Sequence, residues 1–97
     1  MRIKIINGVN LSQLGTREVN IYGSLTFEEY FGQLKKMFPD VELSYFQSDK
    51  IEELVDALRK GQNCDGIILN PGAYTHTAIV LADTIRSIST PVIEVHN

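Results

Sequence analysis

Four short runs rich in β-branched and apolar residues alternate with three stretches whose apolar residues recur at helical spacing. This alternation constrains the fold more than any other feature of the chain. The runs are Ile3 to Ile6, ending at Asn7-Gly8, then Val41 to Gln47, Ile67-Ile68-Leu69 and Val92 to Val95. Between the first two, Phe27, Tyr30, Phe31, Leu34 and Phe38 predict one buried helical stripe. Thr26 and Glu29 form a capping-box pair at its start, and Pro39 ends it. Ile51, Leu54, Val55 and Leu58 predict a second helix closed at Gly61. A third runs from about His76 to Ser87, with Ala78, Leu81, Ala82 and Ile85 on one face. Ile67-Ile68-Leu69 is apolar without alternation, which suits a strand covered on both faces of a parallel sheet. Asn70-Pro71-Gly72 is expected to break that strand. The order predicts an α/β fold, a three-layer parallel sheet with right-handed crossovers and a flavodoxin-like strand order. Ninety-seven residues, 43% of them apolar, suit a single domain over 1–97.

In open α/β sheets, ligands bind beyond the carboxyl ends of the strands. Here those ends are Asn7 to Asn10, Gln47 to Asp49, Asn70 to His76, and His96. The loop from Gly8 to about Leu25 is longer than most connections in compact domains, and long loops are often functional.

The chemically capable residues cluster at these ends. Arg17 and Tyr22 share the long loop. An arginine favours the phenolate and lowers the phenol's pKa, so the pair can supply a general base. The alternative is a packed tyrosine and a solvated arginine. Glu94 and His96 share one face of the last strand, where a carboxylate favours the imidazolium, a general acid. The alternative is a histidine without a role. Asn70 can orient a histidine or a substrate hydroxyl, or simply make a turn. His76 opens the third helix, where backbone N–H groups favour anions, although Thr75 serves equally well as a cap.

Composition narrows the partners. The net charge is −3 and the pI about 5.2, with no cluster of Lys and Arg, which argues against nucleic acid. One placed arginine still suffices for a small carboxylate. Cys64 is the sole cysteine; it precedes an apolar strand and reads as a buried, inert thiol in a reducing cytoplasm. Residues 1–7 do not resemble a signal peptide, and no apolar run approaches the ~20 residues that span a bilayer. Two histidines without a second cysteine argue against zinc. Neither a P-loop nor G-x-G-x-x-G follows the first strand, and no G-x-S-x-G elbow is present. Asn70 stands where a receiver domain would carry its aspartate.

Five segments, in order, carry a more specific signal: Asn7-Gly8-Val9-Asn10-Leu11, Leu14-Gly15-Thr16-Arg17-Glu18, Ile21-Tyr22-Gly23, Asn70-Pro71-Gly72-Ala73-Tyr74-Thr75-His76-Thr77 and Glu94-Val95-His96. Through them the chain resembles the type II 3-dehydroquinate dehydratases over nearly all its length. The resemblance implies a metal-free, cofactor-free anti elimination of water from 3-dehydroquinate, giving 3-dehydroshikimate through an enolate, in the shikimate pathway of aromatic amino-acid biosynthesis. It implies Tyr22 as base, Arg17 as its activator, Asn10 as enolate stabiliser and His96 as general acid. Glu94 and Asn70 would orient His96. Asn70, His76, Asp83 and Asn97 would contact substrate, Asp83 from a neighbouring subunit. It further implies a cytoplasmic homododecamer of trimers that binds neither nucleic acid nor membrane. Departures from the family pattern are Val9 for a proline, Ser12 and Gln13 for an Asn-Leu pair, and Ala82 for an arginine. Family members also continue past the histidine with serine- and arginine-bearing segments, a final strand and a final helix. The four strands present are therefore expected to leave the last one as an exposed apolar edge, calling for a longer natural chain or a partner. The competing reading is a non-catalytic relative, a small-anion binding or assembly module; continuation of the reading frame past Asn97 discriminates the two.

Overall fold

The computed structural model describes residues 1–9, 26–72 and 78–95. Four strands, β1 (Arg2–Val9), β2 (Glu42–Gln47), β3 (Gly66–Gly72) and β4 (Val92–Glu94), form one sheet in the order β2-β1-β3-β4. Every pairing is parallel. Among the described residues, three α-helices alternate with them: α1 (Phe27–Met37), α2 (Ile51–Lys60) and α3 (Ala78–Ser87). A 3-10 turn, Gly61–Asn63, follows α2. The order is that of the flavodoxin-like doubly wound sheet, with the reversal of direction between β1 and β3.

The core lies on one face of the sheet. Ile6, Leu54, Ala57, Leu58, Ile67, Leu69 and Leu81 form one buried cluster joining β1 and β3 to α2 and α3, with Phe46 and Val92 packed against it. Fully burying each of these larger side chains contributes about 1.5–3 kcal/mol. Side chains alternate along a strand, so Ile5 and Tyr45 face the other way. There α1 lies: the Phe27 ring stacks on Tyr45 with centroids 4.6 Å apart, and Phe31 sits 5.6 Å from the same ring. Helices on both faces explain why Ile5 and Ile6 are both buried.

Four expectations are corrected. β1 does not stop at Asn7-Gly8 but runs to Val9, and β3 runs through Asn70-Pro71 to Gly72; Val9 pairs with Gly72. Proline is tolerated because of phase. On β3, Ile67 N–H donates to Pro91 O and Leu69 O accepts from Val95 N–H, both toward β4. Pro71 shares that phase, so its missing N–H faces the outer strand β4 and leaves the pairing of β3 with β1 intact. Third, the aromatic stripe of α1 is not buried. No residue of the helix is, and Tyr30 and Phe38 are 46% and 49% exposed. Among the described residues, its ring contacts with the sheet are those to Tyr45 on edge strand β2, a contact narrower than the stripe. Fourth, Cys64 is half-buried rather than buried, its thiol 3.7 Å from Asn63 Oδ1. The expected apolar edge is observed: β4 is the outer strand, Ile93 is 64% exposed, and Val95, just beyond it, is also exposed.

Thr26 caps α1 as expected, its Oγ1 accepting from Glu29 N–H at 3.2 Å. The return half of the capping box differs, because the Glu29 carboxylate accepts from the Thr26 hydroxyl. At α2 the N-cap residue, Lys50, makes no side-chain capping bond and is instead held from the preceding segment. Buried Ser48 accepts from Lys50 N–H and donates to Glu53 Oε1 at 2.5 Å.

Candidate active site

Parallel pairing brings all four carboxyl ends to one edge of the sheet. The register there is specific. Asn7 pairs with Gln47 on one side and with Asn70 on the other. In-register neighbours share a face, so three carboxamides stand in a row across β2, β1 and β3, astride the reversal between β1 and β3.

Each carboxamide has a defined task. Gln47 Nε2 donates to Gly8 O at 3.2 Å and to Asp49 Oδ1 at 3.0 Å. Asn7, 4% exposed, is buried on the same face of the sheet as Tyr45. Burial raises the pKa of the Tyr45 phenol, the Glu28 carboxylate raises it further, and the Asn7 amide opposes both. Asn70, 8% exposed, accepts from Gly72 N–H through Oδ1 at 3.1 Å. This is the turn chemistry available to an asparagine before a glycine, and Gly72 takes φ 71°, a conformation that favours glycine. Gly8 is required for a different reason. A Cβ there would lie 2.2 Å from Pro71 O, so β1 and β3 approach too closely for any side chain.

Of the nine residues expected at the site, three fall within the described part. Asn70 is buried at the carboxyl edge. Glu94 ends β4, exposed, in register with Leu69 and so one step before Asn70. Asp83 stands on the exposed surface of α3, ion-paired with Arg86 one turn on. Asn10, Arg17, Tyr22, His76, His96 and Asn97 lie outside the described residues. Sequence reasoning placed Asn7 and Gln47 at the edge but assigned them no task. The available signal was that three successive sheet neighbours each carry a carboxamide near the strand end.

Among the described residues, no group of three or more His, Cys, Asp and Glu side chains is placed to hold a metal ion. None of their helices is long and apolar enough to cross a membrane. Away from the site, burial lowers the Lys4 pKa while its Nζ donates to Ala57 O at 3.0 Å, at the opposite end of the sheet.

A flavodoxin-like sheet with a polar row at the carboxyl ends of its central strands defines an α/β protein of the class that binds small ligands at that edge. Comparison with known proteins narrows this class. The sequence matches the family described as "Dehydroquinase class II" over residues 1–97, and the chain belongs to that family. The 3-dehydroquinate dehydratase of an Exiguobacterium species is 45% identical over 97 residues, which are 99% of this chain and 67% of the relative. That of Campylobacter hominis is 44% identical over 102 residues, 99% of this chain and 64% of the relative. The chain thus spans about two thirds of the length of these curated relatives. Among solved structures, the type II dehydroquinase of Butyrivibrio crossotus superposes with a TM-score of 0.88 at 37% identity, covering 99% of this chain and 70% of that one.

Proposed function

We propose that the protein is a 3-dehydroquinate dehydratase, a hydro-lyase that removes water from 3-dehydroquinate by anti elimination through an enolate. The observation that carries this reading is the family match across all 97 residues, including the segments around Tyr22, Arg17 and His96. The same match supports reading residues 1–97 as one partial domain of the family's fold.

The roles follow the chemistry the reaction demands. A proton alpha to a ketone is weakly acidic, so its removal needs a base and charge stabilisation at the oxygen. Tyr22, activated by Arg17, is the proposed base, and Asn10 the proposed stabiliser of the enolate. The departing hydroxyl needs a proton, and His96, held by Glu94 and Asn70, is the proposed acid. Oδ1 of Asn70 accepts from Gly72 N–H, and its second lone pair is the one to receive an N–H of the imidazolium, whose two nitrogens both donate. His76, Asn70 and Asn97 are proposed substrate contacts, and Asp83 a contact from a neighbouring subunit in a cytoplasmic dodecamer of trimers. The exposed position of Asp83 on α3 is compatible with that role.

The test is an assay with 3-dehydroquinate, following the ultraviolet absorbance of the enone product. Turnover is expected, with Tyr22→Phe lowering kcat by at least about a hundredfold. Turnover undiminished in Tyr22→Phe would refute the assignment of the base.

A further inference from the structure

We infer that Gln47 is a positioning residue: its carboxamide fixes the peptide at which β1 hands the chain over to Asn10, and so sets the aim of the segment that carries the proposed base. This rests on the functional reading above.

Gln47 Nε2 meets two acceptors, Gly8 O at 3.2 Å and Asp49 Oδ1 at 3.0 Å. An amide turned the other way would set its oxygen against a carbonyl and a carboxylate, so the orientation is determined and both N–H donors are used. The Asp49 bond makes this side chain an arm held at two points rather than a solvated glutamine. The residue before Gly8 is already secured without it. Asn7 O accepts from Ser48 N–H at 3.1 Å, and Asn7 is in register with both Gln47 and Asn70. Gly8 is stopped on its other flank by Pro71, whose carbonyl leaves no room for a Cβ. The strand pairing therefore holds β1 in place, while the Gln47 amide adds a directional hold on the Gly8 carbonyl, two residues before Asn10. Its loss should disturb aim more than stability. Orientation is where enzymatic rate is sensitive, because displacements of about 1 Å cost up to about a hundredfold.

The experiment compares the full chain with Gln47→Met, which keeps the length of the side chain and removes both donors, and with Gln47→Glu, which replaces the donors by a charge. Gln47→Met is expected to lower kcat about tenfold or more with KM within about threefold. Its Tm should stay within about 2 °C of the parent, since the pairing of Asn7 is untouched. In Gln47→Glu the deficit should be larger at pH 8 and shrink as the pH falls toward about 4, where a protonated carboxyl regains one donor. Backbone amide spectra provide a second readout that does not depend on turnover: both variants should shift resonances from Gly8 into residues 10–25. Normal kcat per folded molecule, a lowered Tm alone, or amide shifts confined to residues 46–50 would overturn the inference. If the parent chain shows no turnover, the functional reading fails separately, and the amide spectra still decide whether Gln47 controls the exit of β1.

Discussion

A methyl group at position 8 has no space to occupy. A Cβ would lie 2.2 Å from Pro71 O and 2.6 Å from Pro71 C, both backbone atoms that cannot swing aside. Gly8→Ala should therefore force β1 and β3 apart and cost about 2–3 kcal/mol, read as a lowered urea midpoint. Tyr45 gives a prediction in pH. Burial and the Glu28 carboxylate raise its phenol above the ordinary value, so the folded chain keeps that proton longer than the unfolded chain does. The resulting stabilisation is complete below the unfolded value of ~10 and is lost as pH rises through the folded value. Tyr45→Phe should flatten the alkaline fall in stability. Lys4 shifts in the opposite direction and is common to both proteins, so the difference between their melts isolates Tyr45.

At the scale of elements, α1 and α2 are held very differently. Leu54, Ala57 and Leu58 of α2 are buried, whereas no residue of α1 is. Amide hydrogens of α1 should exchange well before those of α2. Removing its cap with Thr26→Ala should cost about 1 kcal/mol and accelerate α1 selectively. This contrast marks what the sequence could and could not convey. Among the described residues, periodicity identified the three α-helices and the four strands, because spacing is a local property, but not the 3-10 turn at Gly61–Asn63. It overstated the burial of Phe27, Tyr30, Phe31, Leu34 and Phe38, because how much of a stripe is covered depends on which strand lies beneath it. The Asn-Gly and Asn-Pro-Gly steps looked like strand ends for a related reason. Only the sheet order shows that the missing N–H of Pro71 faces the outer strand β4 rather than the central strand β1.

At the scale of the whole molecule, among the described residues, the sheet has one well-covered face, under α2 and α3, and one more thinly covered, under α1. Leu58, at the centre of the covered face, is fully buried, while Ile93 on outer strand β4 is 64% exposed. Leu58→Ala should cost about 2–5 kcal/mol, and Ile93→Ala should stay within about 0.5 kcal/mol in the same chain. The carboxyl edge that unites the proposed site was legible from strand ends alone, since parallel strands must all point one way. The carboxamide row was not, because the register that aligns Gln47, Asn7 and Asn70 is set by pairing between distant strands.

The central claim is an anti elimination begun by removal of a proton alpha to the ketone. It is tested most directly with two samples of 3-dehydroquinate, each carrying deuterium at one of the two hydrogens on the carbon between the ketone and the departing hydroxyl. Mass analysis of the product, corrected for uncatalysed exchange, should show that the label anti to the hydroxyl is lost and the label syn to it is kept. Loss of the syn label, or loss of both without preference, would contradict the account.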